Sequence, residues 1–207
     1  DNDVIMNGSI LFPDETSDTS IDEANRRTPQ DGSTGVFVTG DVTFSYTQSG
    51  SIILEQEAID PDPDDFAEPV IDFADNRYGF HLDTGDYVGN ITFGTITEDG
   101  ATNRPVITVR GDNSAAVAID GNLDGNIISD GAFNIGGQNS TGLRLPGNVS
   151  GDVNLRSGSS LNVIGQNTTA FSSAGMIGGS FRSVANVDVT AFQDTTPDAD
   201  LSSTEDV

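Results

Sequence analysis

The side chains able to do acid–base or metal chemistry in this chain are few in kind and lopsided in charge. A single histidine, His81, stands among 33 carboxylates, and there is no cysteine. His81 is the one candidate for a general base at neutral pH. A Ser–His–Asp triad needs convergent partners, and the local run Gly-Phe-His-Leu-Asp (79–83) supplies no serine. The ordinary expectation for His81 is an exposed strand residue. The densest carboxylates lie in Asp-Pro-Asp-Pro-Asp-Asp (60–65). Asp60, Asp62, Asp64 and Asp65 could hold calcium, a hard cation that takes oxygen ligands. Neither EF-hand spacing nor a Gly-Gly-x-Gly-x-Asp repeat is present, and a solvated, proline-stiffened loop explains the same residues. Beyond that calcium, no cofactor is expected. Carboxylate pairs for glycoside cleavage are too abundant for any one pair to stand out. Without cysteine there are no disulfides, thiolate zinc sites or thiol nucleophiles.

All eight basic residues are arginines, and the formal net charge is −25. Nucleic acids and anionic lipids demand a basic footprint, so neither is an expected partner. The arginines are scattered, apart from the pair Arg26-Arg27. No apolar run approaches the ~20 residues of a membrane-spanning helix. Gly-Gly pairs at 136–137 and 178–179 do not form Gly-x-Gly-x-x-Gly, so no nucleotide site follows. The hydrophobic fraction is 34%, with 24 glycines and 11 phenylalanines. Turn formers crowd the chain, and the composition favours β-structure with frequent turns over helices.

The elements that must carry these residues repeat. Copies begin at Asn113, Asn139 and Asn167, as in Asn-Ser-Ala-Ala-Val-Ala-Ile-Asp-Gly (113–121) and Asn-Ser-Thr-Gly-Leu-Arg-Leu-Pro-Gly (139–147). Looser copies are Asn-Arg-Tyr-Gly-Phe-His-Leu-Asp (76–83) and Gly-Ser-Thr-Gly-Val-Phe-Val-Thr-Gly (32–40). A second alternation follows a glycine, as in 40–44, 89–93, 125–129, 151–155 and 179–183. A third follows at 51–54, 95–97, 132–135, 161–163 and 187–189. The run 7–12 matches 49–54 and reads as a third strand of an earlier, otherwise missing turn.

Short strands repeating in sets of three fit an all-β, right-handed parallel β-helix of about five to six coils, with equivalent residues stacked about 4.8 Å apart. A β-sandwich shares the short strands but has no reason to repeat by threes. Within the first strand the inward positions are Val36 and Val38, Phe80 and Leu82, Val117 and Ile119, Leu143 and Leu145, and Phe171 and Ser173. Phe37, His81, Ala118, Arg144 and Ser172 form the outward column. Residues 1–190 read as one domain with acidic inserts at 13–31, 55–75 and 97–112. All three are expected at one corner, after a third strand. Residues 191–207 read as a polar acidic tail.

Coils such as 111–127 and 139–153 resemble the passenger regions of Gram-negative outer-membrane autotransporters, and the resemblance covers most of 32–190. It implies a non-enzymatic β-helix, outside the cell or on the bacterial surface, acting in adhesion or fibre assembly. It also implies a link to the outer-membrane barrel of a parent chain, and a protein or glycan surface as partner. No barrel strands are present in the run, and uncapped coil edges suggest head-to-tail stacking. A glycan-binding or glycan-cleaving β-helix of the tailspike or lyase kind is the alternative.

Overall fold

The computed structural model describes residues 3–6, 10–12, 31–54, 74–98 and 101–190. Among these residues there are only strands and turns, with no helix. The strands form stacked parallel sheets, an arrangement consistent with a β-solenoid. The first sheet contains Thr34–Val38, Tyr78–Leu82, Ala115–Ile119, Thr141–Leu145 and Thr169–Ser173, stacked in chain order. The second contains Asp3–Met6, Ser45–Gln48, Ile91–Phe93, Ile127–Ser129, Val153–Leu155 and Phe181–Ser183. The third contains Ile10–Phe12, Ile52–Leu54, Val106–Arg110, Ala132–Gly136, Ser160–Ile164 and Asn186–Thr190.

The expected columns stand in register. Val36 pairs with Phe80, Phe80 with Val117, Val117 with Leu143 and Leu143 with Phe171. Phe80, Leu82, Val117, Ile119, Leu143 and Leu145 are fully buried. The early strand at 10–12 pairs with 52–54, as its sequence match implies, but its turn is not otherwise missing, because Asp3–Met6 pairs with Ser45–Gln48 in the second sheet. Phenylalanines meet edge to face through the interior, with ring centroids of Phe80 and Phe93 5.8 Å apart and of Phe93 and Phe133 5.3 Å apart. Edge-to-face pairs of this kind add to what burial of their area contributes.

The repeat-initiating asparagines have a conformational cause. Asn76, Asn113, Asn139 and Asn167 all have positive φ, between 52° and 57°, and Gly32 holds the same place at 71°. The left-handed region is costly for most L-residues, and asparagine and glycine tolerate it best. Each therefore turns the chain from the third sheet into the first. The recurrent Gly-Asn or Gly-Asp before a second-sheet strand has a different cause. Asn126 donates its backbone N–H and Nδ2 to Asn90 Oδ1, at 3.0 and 2.8 Å. Asp152 N–H donates to Asn126 Oδ1 at 2.8 Å, and Ser180 N–H to Asp152 Oδ1 at 2.7 Å. A ladder of short polar side chains thus satisfies corner amides that the sheets leave unpaired.

Three expectations need correction. The grouping by threes omits a short strand at the corner between the first and second sheets. Val42–Thr43, Asp86–Val88 and Asn122–Asp124 pair there, and bridges from Leu123 to Val149 and from Val149 to Ile177 continue the column. Gly40-Asp41-Val42 belongs with this corner rather than with 89–93: Val42 pairs with Tyr87, and Tyr46 with Ile91. The shared Gly-Asx-Val/Ile pattern made two different corners look alike. The third correction concerns the insert at 97–112. Val106–Arg110 is a core strand of the third sheet, with Ile107 and Val109 fully buried and paired with Ile52 and Leu54. The interruption is an antiparallel hairpin of Ile96–Glu98 and Ala101–Asn103, lying between second- and third-sheet strands. It therefore falls at a different corner from 13–31 and 55–75. Arg104 fastens this corner, its Nε donating to Asp130 O at 2.9 Å and its Nη2 to Gly158 O. Residues 13–30, 55–73 and 191–207 lie outside the described residues, and with them most of the two acidic inserts and the tail.

Replacing Asn139 by Val is expected to cost about 1–2 kcal/mol, because a β-branched residue is forced into the left-handed region. Replacement by Gly should be close to neutral. Urea denaturation of both variants measures the difference.

Tyr87 supplies a second prediction. It is fully buried in the corner column, and among the described residues its hydroxyl has no hydrogen-bond partner. Burial raises the Tyr46 and Tyr87 phenols above their ordinary value of 10.0, and their mutual repulsion adds to the rise at Tyr46. Both therefore favour the neutral phenol when folded. Their contribution is complete below pH ~10 and is lost as pH climbs towards the raised folded values. Tyr87→Phe removes one such group together with an unsatisfied hydroxyl. It should stabilise the fold by about 1 kcal/mol at neutral pH and make the loss of stability above pH ~10 shallower. Thermal melts from pH 7 to 11 test both effects.

Candidate functional site

The outward column of the first sheet is in register as expected: Phe37 pairs with His81, His81 with Ala118, Ala118 with Arg144 and Arg144 with Ser172. It is not an open face. His81 is 8% exposed and Ala118 fully buried, so the expectation of an exposed histidine is corrected. The cause is a roof of long side chains. The Tyr78 ring centroid lies 4.3 Å from that of His81, and the Phe37 ring meets His81 edge-on at 5.6 Å. Arg144 Cζ lies 5.2 Å from the Tyr78 ring centroid, within cation–π range.

Asp120 ties this roof together. It immediately follows the inward Ile119, and Ile119 pairs with Leu82, so Asp120 and Asp83 leave neighbouring strands side by side. Their backbones are held by ladder bonds, Asp83 N–H to Val38 O at 2.9 Å and Asp120 N–H to Leu82 O at 2.8 Å. Arg144 Nη2 donates to Asp120 Oδ2 at 2.8 Å and Oδ1 at 3.1 Å. His81 Nε2 lies 2.8 Å from the same Oδ2, and 3.9 Å from Asp83 Oδ1. His81, Asp83 and Asp120 each offer one ligand atom, and these atoms all lie within 4.8 Å of one another. Partly buried, charge-assisted contacts of this kind are stronger than surface ion pairs.

Beyond the strand ends a groove of about 290 Å³ opens along the corner. Its lining includes Asp41, Asp83, Asp86 and Asp120, with Thr84 and Asn122. Gly85 forms part of it at φ 105°, where an added Cβ would fall 2.5 Å from the Gly40 carbonyl. A larger residue there would push adjacent layers apart. Asp41 Oδ1 accepts the Asp86 N–H at 3.0 Å, and Asp86 Oδ1 accepts Asn122 Nδ2 at 3.0 Å. These bonds hold the carboxylates in fixed positions facing the groove. Four carboxylates against Arg144 make the groove acidic, suited to cations and to hydroxyl donors.

The arrangement does not form a nucleophilic triad. Among the described residues, the hydrogen-bond and ion-pair partners of His81 are carboxylates, with no serine hydroxyl. The sequence-based calcium candidates Asp60, Asp62, Asp64 and Asp65 lie outside the described residues. Sequence reasoning placed His81 and Arg144 in one column but missed Asp83 and Asp120. The available signal was an aspartate directly after the last inward residue of two successive copies, in Leu82-Asp83 and Ile119-Asp120. Comparison with known proteins finds no matching family model, curated protein or solved structure.

Proposed function

We propose that this chain is a right-handed parallel β-helix of about five to six coils that acts without catalysis in adhesion or surface assembly. It belongs outside the cell or on a bacterial surface, released or joined to the outer-membrane barrel of a parent chain. Its contact face is the roofed column of the first sheet together with the adjoining groove, and its partner is a glycan surface. The observation that carries this reading is that the half-exposed Phe37 ring packs on His81, which in turn meets the groove carboxylates Asp83 and Asp120. Carboxylates fixed by ladder bonds accept sugar hydroxyls, and an aromatic face packs on the apolar side of a pyranose ring. The net charge of −25 favours neutral or cationic surfaces as partners. Phe181, Val187 and Val189 lie on the last described strands and are about half exposed. They favour the stacking of further layers, from a parent chain or a second copy, and so support an assembly role.

A second reading is a glycan-cleaving β-helix. Asp83 and Asp120 converge beside aromatic side chains, with carboxylate oxygens within 4.8 Å of each other, nearer to the about 5–5.5 Å spacing of retaining glycosidases than to that of inverting ones.

Binding to a panel of immobilised polysaccharides separates the two readings. Saturable binding is expected on at least one neutral polysaccharide. Phe37→Ala and Asp86→Asn should each weaken it about tenfold, with no reducing ends released. Release of reducing ends that is abolished by Asp120→Asn would move the assignment to the cleaving enzyme. Binding that neither variant changes would remove this face as the contact.

A further inference from the structure

We infer that His81, Asp83 and Asp120 form a binding site for one divalent transition-metal cation of the zinc class. The inference rests on ligand geometry and is independent of glycan binding. An imidazole nitrogen with two carboxylate oxygens suits zinc and its neighbours, whereas calcium prefers an all-oxygen shell. Zinc bonds of about 2.0–2.2 Å in a tetrahedral shell place ligand atoms about 3.3–3.6 Å apart. The distances from His81 Nε2 to Asp120 Oδ2 and Asp83 Oδ1, 2.8 and 3.9 Å, lie on either side of that range. All three ligand atoms lie within 4.8 Å of one another, so side-chain rotation is the movement that would bring them onto one ion.

The surroundings supply what such a site requires. Tyr78 and Phe37 fix the His81 ring. Arg144 can keep its 3.1 Å bond to Asp120 Oδ1 while Oδ2 turns to the metal, and so orients the ligating carboxylate from behind. The ligands come from two successive layers, since His81 and Asp83 belong to one strand and its exit and Asp120 to the exit of the next. Asp83 and Asp120 also line the groove, which gives the ion an entry path and room for water as a fourth ligand.

The test exploits the single histidine. Imidazole ¹⁵N signals of uniformly labelled protein are followed at pH 7.5 during titration with zinc chloride, and separately with calcium chloride. Zinc is expected to shift the His81 nitrogens and saturate at one equivalent, with Nε2 as the bound atom. Calcium should leave them unmoved. Asp83→Asn, a change at a part-exposed position, should weaken zinc binding at least about tenfold while the amide spectrum stays that of the folded protein. The proposal is overturned if excess zinc leaves the imidazole signals unchanged. It is equally overturned if calcium produces the same shift, or if Asp83→Asn binds zinc as tightly as the parent chain.

Discussion

Every feature of this molecule depends on like side chains being stacked, one layer on the next, by parallel backbone hydrogen bonds. The first-sheet column from Val36 to Phe171 is held at the spacing of a β-ladder. Apolar residues so placed bury one another against the inward columns of the second and third sheets, with no helix among the described residues to cover them, and Phe80, Val117 and Leu143 are excluded from water. The same constraint multiplies polar contacts. An asparagine that accepts an amide from the layer above presents its own donors to the next, and the run from Asn90 to Ser180 follows directly. Stability in such an array is close to a sum of layers and their interfaces, so a defect at one level is felt mainly by its neighbours.

The constraint also makes the candidate site. A strand carries its outward residues at fixed places, and stacking brings residues distant in sequence to within hydrogen-bond reach. Arg144 and Asp120 are 24 residues apart, and His81 and Asp120 are 39 apart, yet each pair meets at 2.8 Å. One carboxylate serves two partners from the layers on either side. The interior core needs nothing from this cluster, because the outward column faces away from it. Its burial comes from Tyr78, Phe37 and Arg144 folding over the sheet.

Much of this was legible in the residues, and the gaps have physical explanations. The inward and outward columns follow from period-two alternation, and each asparagine marking a repeat proves to be a left-handed corner. What alternation cannot resolve is a corner strand of two or three residues, too short to show a period. Val42–Thr43 was therefore assigned to the wrong sheet. Thr95-Ile-Thr97 alternates as a core strand does, but Val106–Arg110 has the second buried apolar residue that the interior requires, and it takes the place. The site was half legible. His81 and Arg144 fell in one column by counting. Asp83 and Asp120 stand one residue past the strands, where alternation stops being a guide. The burial of His81 depends on how flexible side chains fold over a surface, which no periodicity encodes.

The most direct test of the stacked architecture uses the outward pair Asn134 and Asn162 of the third sheet. They are paired in register, and Asn162 Nδ2 donates to Asn134 Oδ1 at 2.8 Å. The chain has no cysteine, so Asn134→Cys with Asn162→Cys places two nitroxide labels uniquely. Neighbouring layers about 4.8 Å apart should give strong spin–spin broadening in the electron paramagnetic resonance spectrum, lost when either label is omitted. A sharp, non-interacting spectrum from the doubly labelled, folded protein would contradict the stacking on which the account is built.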